Sequence, residues 1–192
     1  MKNKAVCLDR DGTINIDLGY IGNPELIKLF PDVAEGIKKL KDNFSFKVFV
    51  ISNQSGVTRG LISKSDVDEV NERINQILEK NGTGIDKFYY CPYHPDFDSG
   101  NLTKCRKPSP EMVFQAQREF EIDLSKSFFI GDRSVDIECG INAGVKTILL
   151  KNTLSNEEII MLKNSKNSPN FVAANFENAV EYIESFVIGD FF

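Results

Sequence analysis

The chain has 192 residues, 41% hydrophobic and 27% charged, with a net charge of −5. That length fills one core and is short for two, so a single domain over residues 1–192 is expected. The acidic balance argues against a nucleic-acid surface, and the sequence has neither an apolar run of about 18 residues nor a basic start followed by an apolar stretch, so a cytoplasmic monomer without membrane contact is expected.

Short β-rich runs alternate with helical periods, the pattern of βαβ units around a parallel sheet. A first strand is expected at Lys4–Leu8, followed at once by Asp9, Asp11 and Gly12. Asp-x-Asp at a strand end holds two acids at the rim of a sheet, and Gly12 lets the chain leave sharply so that backbone N–H groups face a phosphate. Alone, the pair fits catalysis, metal ligation or a surface turn; an EF-hand fits less well, because that loop needs glycine at its sixth position and Gly12 stands fourth from Asp9. Asp32-Val-Ala-Glu35 has capping-box spacing ahead of Ile37 and Leu40.

A second strand, Lys47–Ile51, runs into Ser52, Asn53, Gln54, Ser55 and Gly56, and Ser65 precedes a helix with Val67, Val70, Ile74, Ile77 and Leu78 on one face. A third strand, Lys87–Cys91, leads through Arg106-Lys107-Pro108 to a helix with Pro110 at its first position and Val113, Ala116 and Phe120 facing inward. The fourth strand, Ser127–Ile130, ends in Gly131-Asp132-Arg133, with Asp136 on a helix from about Val135 to Ala143. Strands at Lys146–Leu150 and Phe171–Ala173, a surface loop over Lys163–Pro169 and a helix over Phe176–Phe186 complete the chain. Four cysteines, Cys7, Cys91, Cys105 and Cys139, lie far apart and read as thiols or metal ligands, not as a disulfide framework.

In an open parallel sheet the ligand sits beyond the carboxyl ends of the strands. The residues after the strands supply a nucleophile, a second acid, a hydroxyl, a cation and a third acid, which are the parts of phosphoryl transfer. Hard oxygen ligands from two or three acids suit magnesium, which lets a carboxylate approach a phosphate dianion.

On Asp9-Arg-Asp11-Gly-Thr13, Ser52-Asn53-Gln54, Lys107-Pro108 and Gly131-Asp132-Arg133-Ser-Val-Asp136, in that order, the chain resembles the haloacid dehalogenase superfamily of phosphatases. The runs Leu8–Asn15, Asp17–Tyr20, Ser52–Gly60 and Cys105–Pro108 are similar to its heptose bisphosphate phosphatase branch, whose near relative is the histidinol-phosphate phosphatases. The resemblance implies a doubly wound three-layer α/β fold without a large cap, and a magnesium-dependent phosphatase that removes the 7-phosphate of heptose 1,7-bisphosphate on the way to nucleotide-activated heptose. It implies Asp9 as nucleophile and Asp11 as proton carrier, with magnesium on Asp9, the Asp11 carbonyl and Asp132, and Ser52 and Lys107 on the phosphoryl oxygens. The proton carrier is expected to sit beside like charges, where a carboxyl holds its proton.

Asp136 reads equally as a residue that supports the metal ligands or orients Lys107 and as a solvated helix acid. Asp17, Tyr20, Asn53, Gln54, Ser55, Arg59, Arg106 and Arg133 are candidates for contact with the phosphorylated sugar. Histidinol phosphate is the alternative substrate, and a receiver or magnesium-binding module the alternative from another class; Asp11 argues against that module, which needs no acid there. Related phosphatases carry a zinc loop of the form Cys-x-His and Cys-x-Cys, whereas here Cys91, His94 and Cys105 are accompanied by Tyr93 and Thr103 at two ligand positions. Even with Asp96 or Asp98 as a fourth ligand the set is incomplete, so a zinc-free loop held by hydrogen bonds and packing is expected.

Overall fold

The computed structural model describes residues 2–189. One parallel sheet of six strands runs β1 (Ala5–Leu8), β2 (Lys47–Asn53), β3 (Lys87–Cys91), β4 (Phe128–Gly131), β5 (Lys146–Leu150) and β6 (Phe171–Ala173) along the chain. In space the order is β3-β2-β1-β4-β5-β6. Connections from β1 lead outward on one side and those from β4 outward on the other, so the order reverses between β1 and β4 and opens a crevice at their carboxyl ends.

Alternation along the strands decides which helix covers which face. Val6, Leu8, Val48, Val50, Phe128 and Ile130 pack with α1 (Val33–Asp42), α2 (Lys64–Lys80) and, from the end of the chain, the helix over Phe176–Gly189. Cys7, Phe49, Ile51 and Phe129 point the other way, against α3 (Glu111–Phe120) and α4 (Ser134–Ala143). A short helix, α5 (Asn156–Lys163), sets Ile159 against Ile137 and Leu149, and the terminal helix is α6. Helices thus cover both faces, and the stretch from Asp9 to Asp32 holds only a three-residue 3-10 turn, Pro24–Leu26, where a cap domain would be inserted.

The strand expectations match to within two residues, and the differences lie at caps. Ser63, not Ser65, opens α2 by exchanging hydrogen bonds with Asp66, because that pair has the three-residue spacing of a capping box. Asp32 makes no cap to α1; its carboxylate accepts from the Glu177 N–H and ties the start of α6 to α1. Pro110 is the residue before α3, one position earlier than expected. α5 escaped notice because its apolar residues do not form one stripe: Ile159 is buried, while Ile160 and Met161 on the same short helix are exposed.

The cysteine reading is corrected. Cys91 and Cys105 form a disulfide, because the 3-10 turn Leu102–Cys105 brings the chain back beside the end of β3 with their Cα atoms 5.5 Å apart. Spacing along the chain gave no hint of that return. Cys7 and Cys139 are buried free thiols, and burial pushes both up, Cys139 to about 12.

Asp86 joins α1, β2 and the start of β3. Burial pushes its carboxyl up, but the Val48 N–H, Lys41 and Lys47 outweigh that and hold it below the usual aspartate range. A depressed carboxyl stabilises the fold above its unfolded value of about 4 and loses that contribution as pH falls through the folded value. Urea unfolding of Asp86→Asn at pH 7 is expected to show a loss of about 1 kcal/mol, shrinking relative to wild type below about pH 4. A gap that widened in acid would contradict this assignment.

Candidate functional site

Two neighbouring strands carry the acids to one place. The ladder between β1 and β4 pairs Leu8 with Ile130 and continues as the Asp9 N–H donates to the Ile130 carbonyl at 3.0 Å. Asp9 therefore leaves β1 beside the point where Gly131 ends β4 and Asp132 follows. With Asp136 from the first turn of α4 they form a buried group of three carboxylates whose oxygens lie within 4.8 Å of one another. Gly131 makes this approach feasible, since a Cβ there would stand 2.6 Å from the Asp136 carboxyl carbon.

Lys107 is the cation inside this group. Its Nζ donates to Asp9 Oδ1 at 2.7 Å and lies 2.7 Å from Asp136 Oδ1, the second contact lacking the geometry of a directed hydrogen bond. The Lys107 side chain is 2% exposed and passes 5.7 Å over the Phe129 ring. Burial opposes its charge, but Asp136 and Asp9 outweigh burial and hold it protonated above the lysine range. Asp136 is a buried acid beside Lys107 and not a solvated helix acid, and its other oxygen accepts the Arg133 N–H.

Asp9 is raised above the aspartate range by burial; Lys107 opposes that and Asp136 adds to it. Asp132 is pushed up to about 6, first by burial and then by Asp9. Thr13 donates to its Oδ1 at 3.1 Å, and Thr153 lies 2.7 Å from its Oδ2. Gly12, at φ +88, leaves the space this needs, because a Cβ would stand 2.7 Å from the Asp132 carboxyl carbon. Three buried carboxylates facing one ammonium leave an excess of negative charge. That donor set fits a hard divalent cation, with Asp9 and Asp132 available to it, since Asp136 is occupied by Lys107 and the Arg133 N–H.

Asp11 has different company from that expected. Its Oδ2 accepts from Arg10 Nη2 at 2.9 Å and Gln54 Nε2 at 2.9 Å, and its Oδ1 from Asn15 at 2.9 Å, so a cation and amides surround it. Arg10 is fully buried and also donates to Asn71 on α2 at 3.2 Å. This guanidinium was missed in the sequence because it stands between the two acids of the motif, where strand alternation sends it to the opposite face. Its pairing with Asn71, 61 positions away, left no local sign.

Asn53 and Gln54, expected against a substrate, are turned to the protein. Asn53 accepts the Lys107 N–H at 3.0 Å and donates to the Lys107 carbonyl at 3.2 Å, fixing the lysine's backbone. Gln54 bridges Asp11 and the Ser52 hydroxyl, 2.8 Å away, at the carboxyl end of β2. Ser55 is buried in the same turn. Further out, Arg133 pairs with Asp17 at 2.7 Å, Arg59 lies 5.0 Å over the Phe97 ring, and Arg106 donates to the Tyr93 carbonyl. Arg106 is drawn below the arginine range by burial and by Arg59, and Tyr20 stands half exposed beside Gly56.

The zinc loop takes another form. The Cys91–Cys105 disulfide closes this loop covalently, where hydrogen bonds and packing alone were expected to hold it. His94 Nδ1 accepts the Asp96 N–H, while Asp98 accepts the His94 N–H and the Thr58 hydroxyl.

Known proteins place this geometry. The HAD-hydrolase-like family model matches residues 104–179. D-glycero-D-manno-heptose-1,7-bisphosphate 7-phosphatase of Chlorobaculum tepidum is 43% identical over 164 residues, 81% of each chain. The D-glycero-beta-D-manno-heptose-1,7-bisphosphate 7-phosphatase of Photorhabdus laumondii is 38% identical over 78% of this chain and 80% of its own. In fold, the crystal structure of D,D-heptose 1,7-bisphosphate phosphatase from B. bronchiseptica, complexed with magnesium and phosphate, superposes with a TM-score of 0.83 at 24% identity, covering 95% of this chain and 99% of that one. With its acids gathered at the β1–β4 crevice and relatives of this similarity across four fifths of its length, the chain belongs to the heptose bisphosphate phosphatase family of HAD-like hydrolases.

Proposed function

We propose that the chain is a magnesium-dependent phosphomonoesterase that removes the 7-phosphate of D-glycero-D-manno-heptose 1,7-bisphosphate through an aspartyl phosphate on Asp9. The observation that carries this reading is the buried Asp9 carboxylate held by Lys107 next to Asp132, with Asp11 two residues on. Asp9, Asp132 and the Asp11 carbonyl would hold magnesium, which would supply charge neutralisation between the carboxylate and the incoming phosphate.

Lys107 fixes one Asp9 oxygen, so attack on phosphorus falls to the other, and the P–O bond to the sugar breaks as the P–O bond to Asp9 forms. Lys107 and the Ser52 hydroxyl meet the charge spread over the transferring oxygens. A proton carried by Asp11 passes to the departing sugar oxygen, and the water that then hydrolyses the acyl phosphate returns one to Asp11 for the next turnover. Both its oxygens accept hydrogen bonds at rest, so the side chain exchanges Arg10 and Gln54 for the reacting groups when it acts. Arg59 and Arg106, close enough that one depresses the other, suit a ligand with a second anionic group at the mouth of the crevice.

Asp9→Asn is expected to abolish turnover and Asp11→Asn to lower kcat by about 10²–10⁴, measured as phosphate release. Phosphate release at the wild-type rate by Asp9→Asn would overturn the covalent route. Chelation of divalent metal should stop turnover and added magnesium restore it. Heptose 1,7-bisphosphate should exceed histidinol phosphate in kcat/KM; the reverse order would reassign the substrate.

Lys107→Met leaves Asp9 and Asp136 buried without their cation and is expected to lose about 3–5 kcal/mol at neutral pH, read by urea unfolding without metal. Asp9, raised by burial, binds a proton in the folded state as pH falls, so the loss should be smaller at pH 5 than at pH 8.

A further inference from the structure

The turn after β5 carries none of the residues that the sequence marks for chemistry, yet it reaches both strand ends that hold the acids. Thr153 Oγ1 lies 2.7 Å from Asp132 Oδ2 and 2.9 Å from the Asp132 carbonyl oxygen. Its neighbour Asn152 donates from Nδ2 to the Gly12 carbonyl at 2.8 Å. From the opposite side Thr13 donates to Asp132 Oδ1, so each carboxylate oxygen meets a hydroxyl from a different segment. Arg133 gives Asp132 little electrostatic hold, because its Nε stands 3.9 Å from Oδ2 and its side chain is 54% exposed.

We propose that Thr153 and Asn152 are positioning residues for the divalent cation. Thr153 fixes the rotation of the Asp132 carboxylate, and Asn152 ties that clasp to the turn that carries Asp9 and Asp11. The proposal rests on the reading that Asp9 and Asp132 hold magnesium. Unheld, the Asp132 carboxylate would turn away from Asp9, with which it shares a buried space and a charge, and binding a cation would first have to turn it back. A carboxylate held by two hydroxyls keeps a lone pair on each oxygen for a metal while its plane stays set. Thr153 suits this task in two ways. Its branched Cβ restricts χ1, and its single proton has two acceptors within reach, so it serves the carboxylate or the carbonyl without movement of a heavy atom. Partners behind a metal-binding carboxylate commonly alter metal affinity by about 10–100-fold.

The test is the rise in thermal unfolding midpoint produced by magnesium alone, without substrate, titrated for wild type, Thr153→Val, Thr153→Ser and Asn152→Ala. Thr153→Val should need about tenfold more magnesium for half the shift, Thr153→Ser should stay within about twofold of wild type, and Asn152→Ala should fall between them. Each variant's shift is read from its own metal-free midpoint, and the turnover deficit of Thr153→Val should shrink as magnesium is raised. A Thr153→Val protein that responds to magnesium as wild type does overturns the clasp and leaves the metal reading standing. A wild-type protein that shows no magnesium shift removes the metal reading and the clasp with it. If Thr153→Val fails to fold, Asn152→Ala decides, since an unchanged magnesium response there also overturns the proposal.

Discussion

The structure turns on one buried ammonium. Lys107 is almost wholly removed from water, and Asp9 and Asp136, each 2.7 Å away, offset its charge there. Much of the surrounding architecture keeps it in place. Asn53 at the end of β2 grips its backbone from both sides, Phe129 lies under its tip, and Gly131 lets α4 come close enough for Asp136 to reach it. The ends of β1 and β2, the strand β4 and the helix α4 therefore converge on one lysine.

A second charged pair stands beside the first, Arg10 with Asp11. Arg10 lies under the sheet on the face covered by α2, and from there holds Asp11 at the rim. The two acids of one short motif thus answer to cations on opposite faces: Asp9 to Lys107 on the α3–α4 side, Asp11 to Arg10 on the α2 side. Strand alternation makes this division possible, because residues 9 and 10 follow the outward parity of Cys7 and Leu8.

The layering of the fold was legible because period-two runs and helical stripes are local patterns, and β3, β5 and β6 fall on the residues those patterns mark. Asp9, Lys107 and Asp132 were legible for another reason: strand ends in a parallel sheet must meet, so polar residues there share a site. What stayed hidden depends on partners far away in sequence. Arg10 finds Asn71 on α2, Asp32 serves α6 and not its own helix, Asn53 faces Lys107 and not a ligand, and Cys91 meets Cys105 through a loop with no regular pattern. Thr153 is hidden the most deeply, in a polar turn whose composition is that of any surface loop.

The adjacency of β1 and β4 has a metric consequence. Backbone hydrogen bonding fixes neighbouring strands at about 4.8 Å, whatever their side chains. Asp9 and Asp132 extend two such strands, so the ladder sets how far apart the backbones that carry them lie. That separation belongs to the sheet and not to the loops above it. Tyr20, Arg59 and Phe97 stand on those loops, outside the hydrogen-bonded ladder.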